Sequence, residues 1–96
     1  MAARYTVEFA PRAAKAFAAL PVAVQRRLAP IIERLSTTPR PNGVRKLQGA
    51  DDLYRVRSGD YRVIYQIQDK RLLILVVKIG HRRDVYGEKG SENISV

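Results

Sequence analysis

The sequence predicts an α+β domain of order β-α-α-β-β-β, an antiparallel sheet with a helical hairpin packed on one face. Three observations predict it. Residues 4–9 alternate polar and apolar, residues 11–35 repeat their apolar positions at intervals of three and four, and from Leu53 onward the apolar and β-branched residues recur at period two.

In the opening stretch Tyr5, Val7 and Phe9 fall on one side, as in a strand half-buried against a helix layer. Pro11 suits a first helical turn, and the Ala-rich run to Leu20 places Ala13, Phe17 and Leu20 on one stripe. After Pro21, Val24, Leu28, Ile31, Ile32 and Leu35 form a second stripe, with Arg26, Arg27, Glu33 and Arg34 on the opposite face. Pro30 inside this pattern removes a hydrogen bond and crowds the carbonyl of Arg26. It predicts a kink or break costing about 3 kcal/mol. Residues 36–43 hold two prolines and a glycine and read as a loop. Strands are expected at 53–57, 61–68 and 71–79. The intervening Ser58-Gly59-Asp60 and Asp69-Lys70 are short enough for hairpin turns, and the run from Leu72 to Val77 is apolar on both faces, as in a central strand. The second sheet face is left available for a ligand.

The 96 residues can bury one core but not two, so residues 1–96 are read as a single domain with a polar, Gly-rich tail at 87–96. No stretch approaches the roughly 20 apolar residues of a membrane span, and the N-terminus lacks the order of a signal peptide, so a soluble cytoplasmic protein is expected. Cysteine is absent and there is one histidine, which excludes disulfides and thiolate metal sites and leaves no cluster of zinc-ligand spacing. No metal or other cofactor is expected. Eighteen Lys and Arg against nine Asp and Glu give a net charge of +9, an excess that attracts RNA, DNA or an acidic protein.

The placement of that charge narrows the choice. Alternation puts Arg55 and Arg57 on one face of their strand, and Arg62 lies near a pairing position on the next. Like charges opposed across a sheet repel, and an anion resting on them relieves the repulsion, so the trio reads as a phosphate site. A second constellation follows the last strand, Gly80-His81-Arg82-Arg83-Asp84-Val85-Tyr86. It combines a backbone able to turn, two arginines, an imidazole that exchanges protons at neutral pH, and a ring that stacks on bases.

The run Leu53-Tyr54-Arg55-Val56-Arg57-Ser58-Gly59-Asp60-Tyr61-Arg62-Val63-Ile64-Tyr65, followed by residues 80–86, closely resembles the signature half of toxins of the RelE/ParE superfamily, in its RelE-like branch. A weaker match extends upstream through Lys46-Leu47-Gln48-Gly49 and the helical hairpin. The resemblance implies a fold like that of microbial ribonucleases and a type II toxin-antitoxin toxin that cuts mRNA in the ribosomal A site. Attack by the ribose 2′-hydroxyl would leave a cyclic phosphate and a 5′-hydroxyl without a metal. It implies catalytic roles for Arg55, Arg57, Arg62, Arg82 and Tyr86; beside them His81 is read as a further catalytic residue, and Arg45, Lys46 and Arg83 as RNA contacts. The implied partners are the ribosome, mRNA and a cognate antitoxin.

One departure bears on mechanism. Some members of the family carry lysines, one of them assigned as general base, where this chain has Arg55 and Arg57. Arginine keeps its proton and clamps phosphate instead. His81 is then the natural proton acceptor, and Tyr86 either assists or stacks on the exposed base. Two other functions fit the charge: a ParE-like inhibitor of DNA gyrase, and an RNA-binding module without catalysis.

Overall fold

The computed structural model describes residues 4–47 and 52–81. Its elements are β1 (Thr6–Phe9), α1 (Pro11–Ala18), α2 (Val22–Arg34), β2 (Arg45–Lys46), β3 (Leu53–Ser58), β4 (Tyr61–Gln68), a short 3-10 turn (Asp69–Arg71) and β5 (Leu73–His81). Among the described residues no helix is long and apolar enough to cross a membrane.

The five strands form one sheet in the order β1-β5-β4-β3-β2. The expected antiparallel meander is β3-β4-β5. The sheet is nonetheless mixed rather than antiparallel throughout, because β1 pairs parallel with β5, Thr6 opposite Leu73 and Phe9 opposite Val76. A tight turn forces antiparallel pairing only on the strands it joins. β1 and β5 have most of the chain between them, and no turn constrains their direction. The extra strand β2 pairs Arg45 with Arg55 and Lys46 with Tyr54.

Both predicted helical stripes pack on one sheet face. Ala13, Leu28, Ile32 and Leu35 are buried there with Val63, Tyr65, Ile67, Ile74, Val76 and Ile79, and Phe17, Leu20, Val24 and Ile31 close the layer. Phe9 meets Phe17 edge to face at 5.7 Å. Gln25 ties the two helices together, its Nε2 donating to the carbonyls of Phe17, Ala18 and Leu20 at 3.0 to 3.2 Å, at and just beyond the end of α1. The break expected at Pro30 does not occur, since α2 continues through it to Arg34. Pro30 and Arg26 are both exposed, so water can serve the carbonyl that proline leaves without a partner.

The turn between β4 and β5 is longer than the dipeptide expected. Asp69–Arg71 form a 3-10 turn, and Leu72 leaves the strand with φ 49°, in the left-handed region that non-glycine residues seldom occupy. The polar tail expected at 87–96 lies outside the described residues.

Candidate nucleic-acid interface

Side-chain alternation sorts β3 and β4 cleanly. Tyr54, Val56, Tyr61, Val63 and Tyr65 face the helices. Leu53, Arg55, Arg57, Arg62 and Ile64 therefore face the other way, and Ile64 with Leu47, Leu53 and Val77 makes a small second apolar cluster there. Two cross-strand rows lie on this face. Arg57 stands directly opposite Arg62, which stands opposite Gly80; Arg45 stands opposite Arg55, which stands opposite Ile64 and, one strand further, Lys78. Gly80 presents no side chain to Arg62.

Crowding has an electrostatic signature. Burial pushes the Arg55 guanidinium below its ordinary pKa, and the charges of Arg62, Arg45 and Arg57 push it further the same way. Arginine stays protonated even so, and the strain is carried as repulsion instead of proton loss. Arg62 is only 5% exposed, with Nη1 donating at 3.4 Å to the carbonyls of Gly59 and Tyr61. Gly59 sits in the β3-β4 turn with φ +60°, and Arg27 reaches it from α2: a Cβ on Gly59 would stand 3.0 Å from Arg27 Nη1. The turn thus carries cations from both layers of the fold.

Register also separates what the sequence had grouped. His81 pairs with Tyr61, their rings edge to face at 5.5 Å, and Tyr61 belongs to the helix-facing side. His81 therefore ends β5 on the side away from the arginines, with Nε2 3.9 Å from Asp60 Oδ2. Arg45 shares the arginine face, whereas Lys46 is opposite Tyr54 and lies on the alternate side; both are exposed. Arg82, Arg83 and Tyr86 lie outside the described residues.

Lys78 is the residue that sequence reasoning missed. Counting by twos from Ile74 and Val76 would turn Lys78 toward the helices. The register shifts by one between Ile64 and Tyr65, where Ile64 pairs with Lys78 and Tyr65 with Val76, so Val77 is the extra residue of a bulge. Alternation restarts after it, returning Ile79 to the core and leaving Lys78 beside the arginine rows.

A groove of about 600 Å³ lined by Arg4, Tyr5, Val7, Pro30, Glu33, Arg34, Ser36 and Thr37 lies elsewhere, against the edge strand β1. It touches none of the residues in the arginine rows.

A family profile described as the ParE toxin of type II toxin-antitoxin system, parDE, matches residues 3–86. The chain belongs to the RelE/ParE toxin family. This toxin is 32% identical over 88 residues to the mRNA interferase toxin RelE of Escherichia coli K12, covering 88% of the chain and 92% of that protein. Its fold matches that of a chain in the archaeal RelE-RelB complex of Pyrococcus horikoshii OT3 with a TM-score of 0.73 and 38% identity, over 82% of the toxin and 96% of that chain. A chain of the intact E. coli RelBE toxin-antitoxin complex aligns with a TM-score of 0.72 and 30% identity, over 80% and 95%. It is a RelE-like toxin of a type II toxin-antitoxin system, and two helices on a mixed five-stranded sheet are the architecture it shares with these structures.

Proposed function

We propose that this toxin is a ribosome-dependent mRNA endoribonuclease that uses the ribose 2′-hydroxyl as nucleophile and needs no metal. The observation that carries the reading is the directly opposed pair Arg57 and Arg62, flanked by Arg55 and Arg45, on the sheet face that the helices leave uncovered. A backbone phosphate set across these strands neutralises charges that otherwise repel. It also receives donors fixed in advance for the charge that builds in a pentacoordinate transition state. In this reading Arg55, Arg57 and Arg62 hold the scissile phosphate. His81 accepts the 2′-hydroxyl proton by reaching round the end of β4 and β5, and Arg82, Arg83 and Tyr86, which follow it in sequence, extend the site toward the neighbouring base.

The relative named an mRNA interferase supports the reaction class. RelE bound to RelB in the similar solved complexes supports a cognate antitoxin as the silencing partner, for which a net charge of +9 favours an acidic segment. The test is to incubate the purified toxin with ribosomes carrying mRNA, with the A-site codon accessible or covered, and to map product ends. Cuts in the accessible codon bearing a 2′,3′-cyclic phosphate and a 5′-hydroxyl are expected. Intact mRNA alongside DNA breaks in cells expressing the toxin would instead favour gyrase as target.

A further inference from the structure

We infer that Arg27, on α2, grips a second phosphate of the mRNA, the neighbour of the one held on the arginine face, an inference that rests on the nuclease reading above. Arg27 precedes the buried Leu28 and is itself exposed. Its side chain runs off the helix to the end of the sheet, where Nη1 comes within 3.0 Å of the place a Cβ on Gly59 would take. The β3-β4 turn calls for glycine there twice over. The backbone turns at φ +60°, and any side chain would crowd the guanidinium.

Among the described residues nothing answers the charge of Arg27. A helix pairs an arginine with carboxylates three or four positions away, and around Arg27 those positions hold Ala23, Val24, Pro30 and Ile31. Asp60, the acid of the turn itself, has Oδ2 3.9 Å from His81 Nε2 instead. Arg27 makes no hydrogen bond or ion pair with any described residue.

Its place gives that charge a use. Gly59 is two residues from Arg57, at most about 7 Å along the chain. Arg57 is exposed and stands directly opposite Arg62. An RNA strand that leaves the arginine face over the β3-β4 turn therefore passes from the Arg57 guanidinium to that of Arg27 within about one nucleotide step. The planar fork of a guanidinium matches a phosphate at each position.

Methylphosphonate linkages, which replace one charged oxygen of a chosen phosphate with a methyl group, locate the contact. Wild-type toxin, Arg27→Gln and Arg27→Lys are compared in single-turnover cleavage on ribosomes programmed with unmodified mRNA, or with mRNA carrying one methylphosphonate moved in turn through the linkages on either side of the cut. On unmodified mRNA, Arg27→Gln should raise the toxin concentration at half-maximal rate about tenfold, the loss from one charge-assisted hydrogen bond, with the smaller share of the deficit in the saturated rate. The slope of log affinity against log salt should flatten by about 0.7, as for one phosphate of a single strand. Arg27→Lys should recover part of the loss, since it keeps the charge without the fork. At one linkage beside the cut, the methylphosphonate should weaken the wild type as much as Arg27→Gln does and weaken Arg27→Gln no further. Wild-type behaviour of Arg27→Gln would overturn the contact. Equal weakening of both toxins at every linkage would overturn it too, assigning the effect of Arg27 to other phosphates such as those of the ribosome's own RNA. Both outcomes leave the nuclease reading standing. A wild-type toxin that leaves unmodified mRNA intact would overturn that reading, and the strand path with it.

Discussion

Two corners of the sheet use arginine in opposite ways. At the corner where the 36–43 loop meets the β4-β5 turn, Arg40 donates from Nη2 to Asp69 Oδ2 at 3.0 Å and from Nε to the Tyr54 hydroxyl at 3.2 Å, while its guanidinium carbon lies 5.3 Å from the centre of the Tyr54 ring. Tyr5 closes the arrangement by donating to Asp69 Oδ1 at 2.6 Å, and the Tyr65 hydroxyl pins the loop through the Pro39 carbonyl at 2.7 Å. Arg40 is accordingly held above its ordinary pKa, chiefly by the contacts to Tyr54 and Asp69. Arg55, on the other face, is driven below its own by burial and by three neighbouring cations. The same side chain is a fastener at one corner and, at the other, one of several cations crowded onto a single sheet face.

The largest effect expected from this contrast is on activity. Arg62→Ala removes the buried member of the opposed pair and, on the nuclease reading, should lower cleavage of ribosome-bound mRNA by about a hundred- to a thousandfold, as for loss of one preorganised transition-state donor. Arg40→Ala should leave that rate within a small factor, because Arg40 contacts the loop and Tyr54 and none of the arginine rows. Single-turnover cleavage assays on the two variants decide it. Equal losses would erase the distinction between the corners.

An effect of intermediate size concerns pH. The hydrogen bond from Tyr5, and after it that from Arg40, hold the Asp69 carboxyl below the ordinary carboxylate value. A depressed folded pKa contributes stability that is present above the unfolded value and is lost as pH falls through the folded one. Wild-type toxin should therefore melt a few degrees above Asp69→Asn at neutral pH. The gap should close on acidification below about pH 4. Thermal melts from pH 7 to pH 2.5 measure it, and a gap independent of pH would mean that Asp69 acts through shape alone.

Much of this could be read from the residues, and the exceptions have a common cause. The helical stripes and the meander were legible because each is written in local periodicity, and the opposed arginines because a short turn fixes the pairing of its two strands. Strand β2 is two residues long, too short to carry a period. The parallel pairing of β1 and the bond from Tyr5 to Asp69, 64 residues apart, depend on contacts that no local pattern encodes. One inserted residue in β5 reversed the face of Lys78, since a slip of one position exchanges the two sides of a strand. His81, adjacent to Gly80 in the chain, points to the opposite side of the sheet, as alternation along a strand requires.

The smallest effect is the sharpest test of the contrast, because the same substitution at two arginines should have opposite signs. Arg57→Thr takes one of two like charges from a directly opposed cross-strand pair and puts a strand-favouring residue in its place. Such pairs are worth roughly 0.2 to 1 kcal/mol, so the melting temperature should rise by about 2 to 4 °C. Arg40→Thr removes a paired cation and should lower it. Added salt must shrink the Arg57→Thr gain, since the repulsion being relieved lies at an exposed residue within reach of counterions. Part of the Arg40→Thr loss should survive salt, because its packing over the Tyr54 ring and its hydrogen bond to that hydroxyl do not depend on long-range charge. If Arg57→Thr destabilises the protein at every salt concentration, the arginine face is held together by contacts that outweigh its repulsion, and the demand for a bound anion disappears with it.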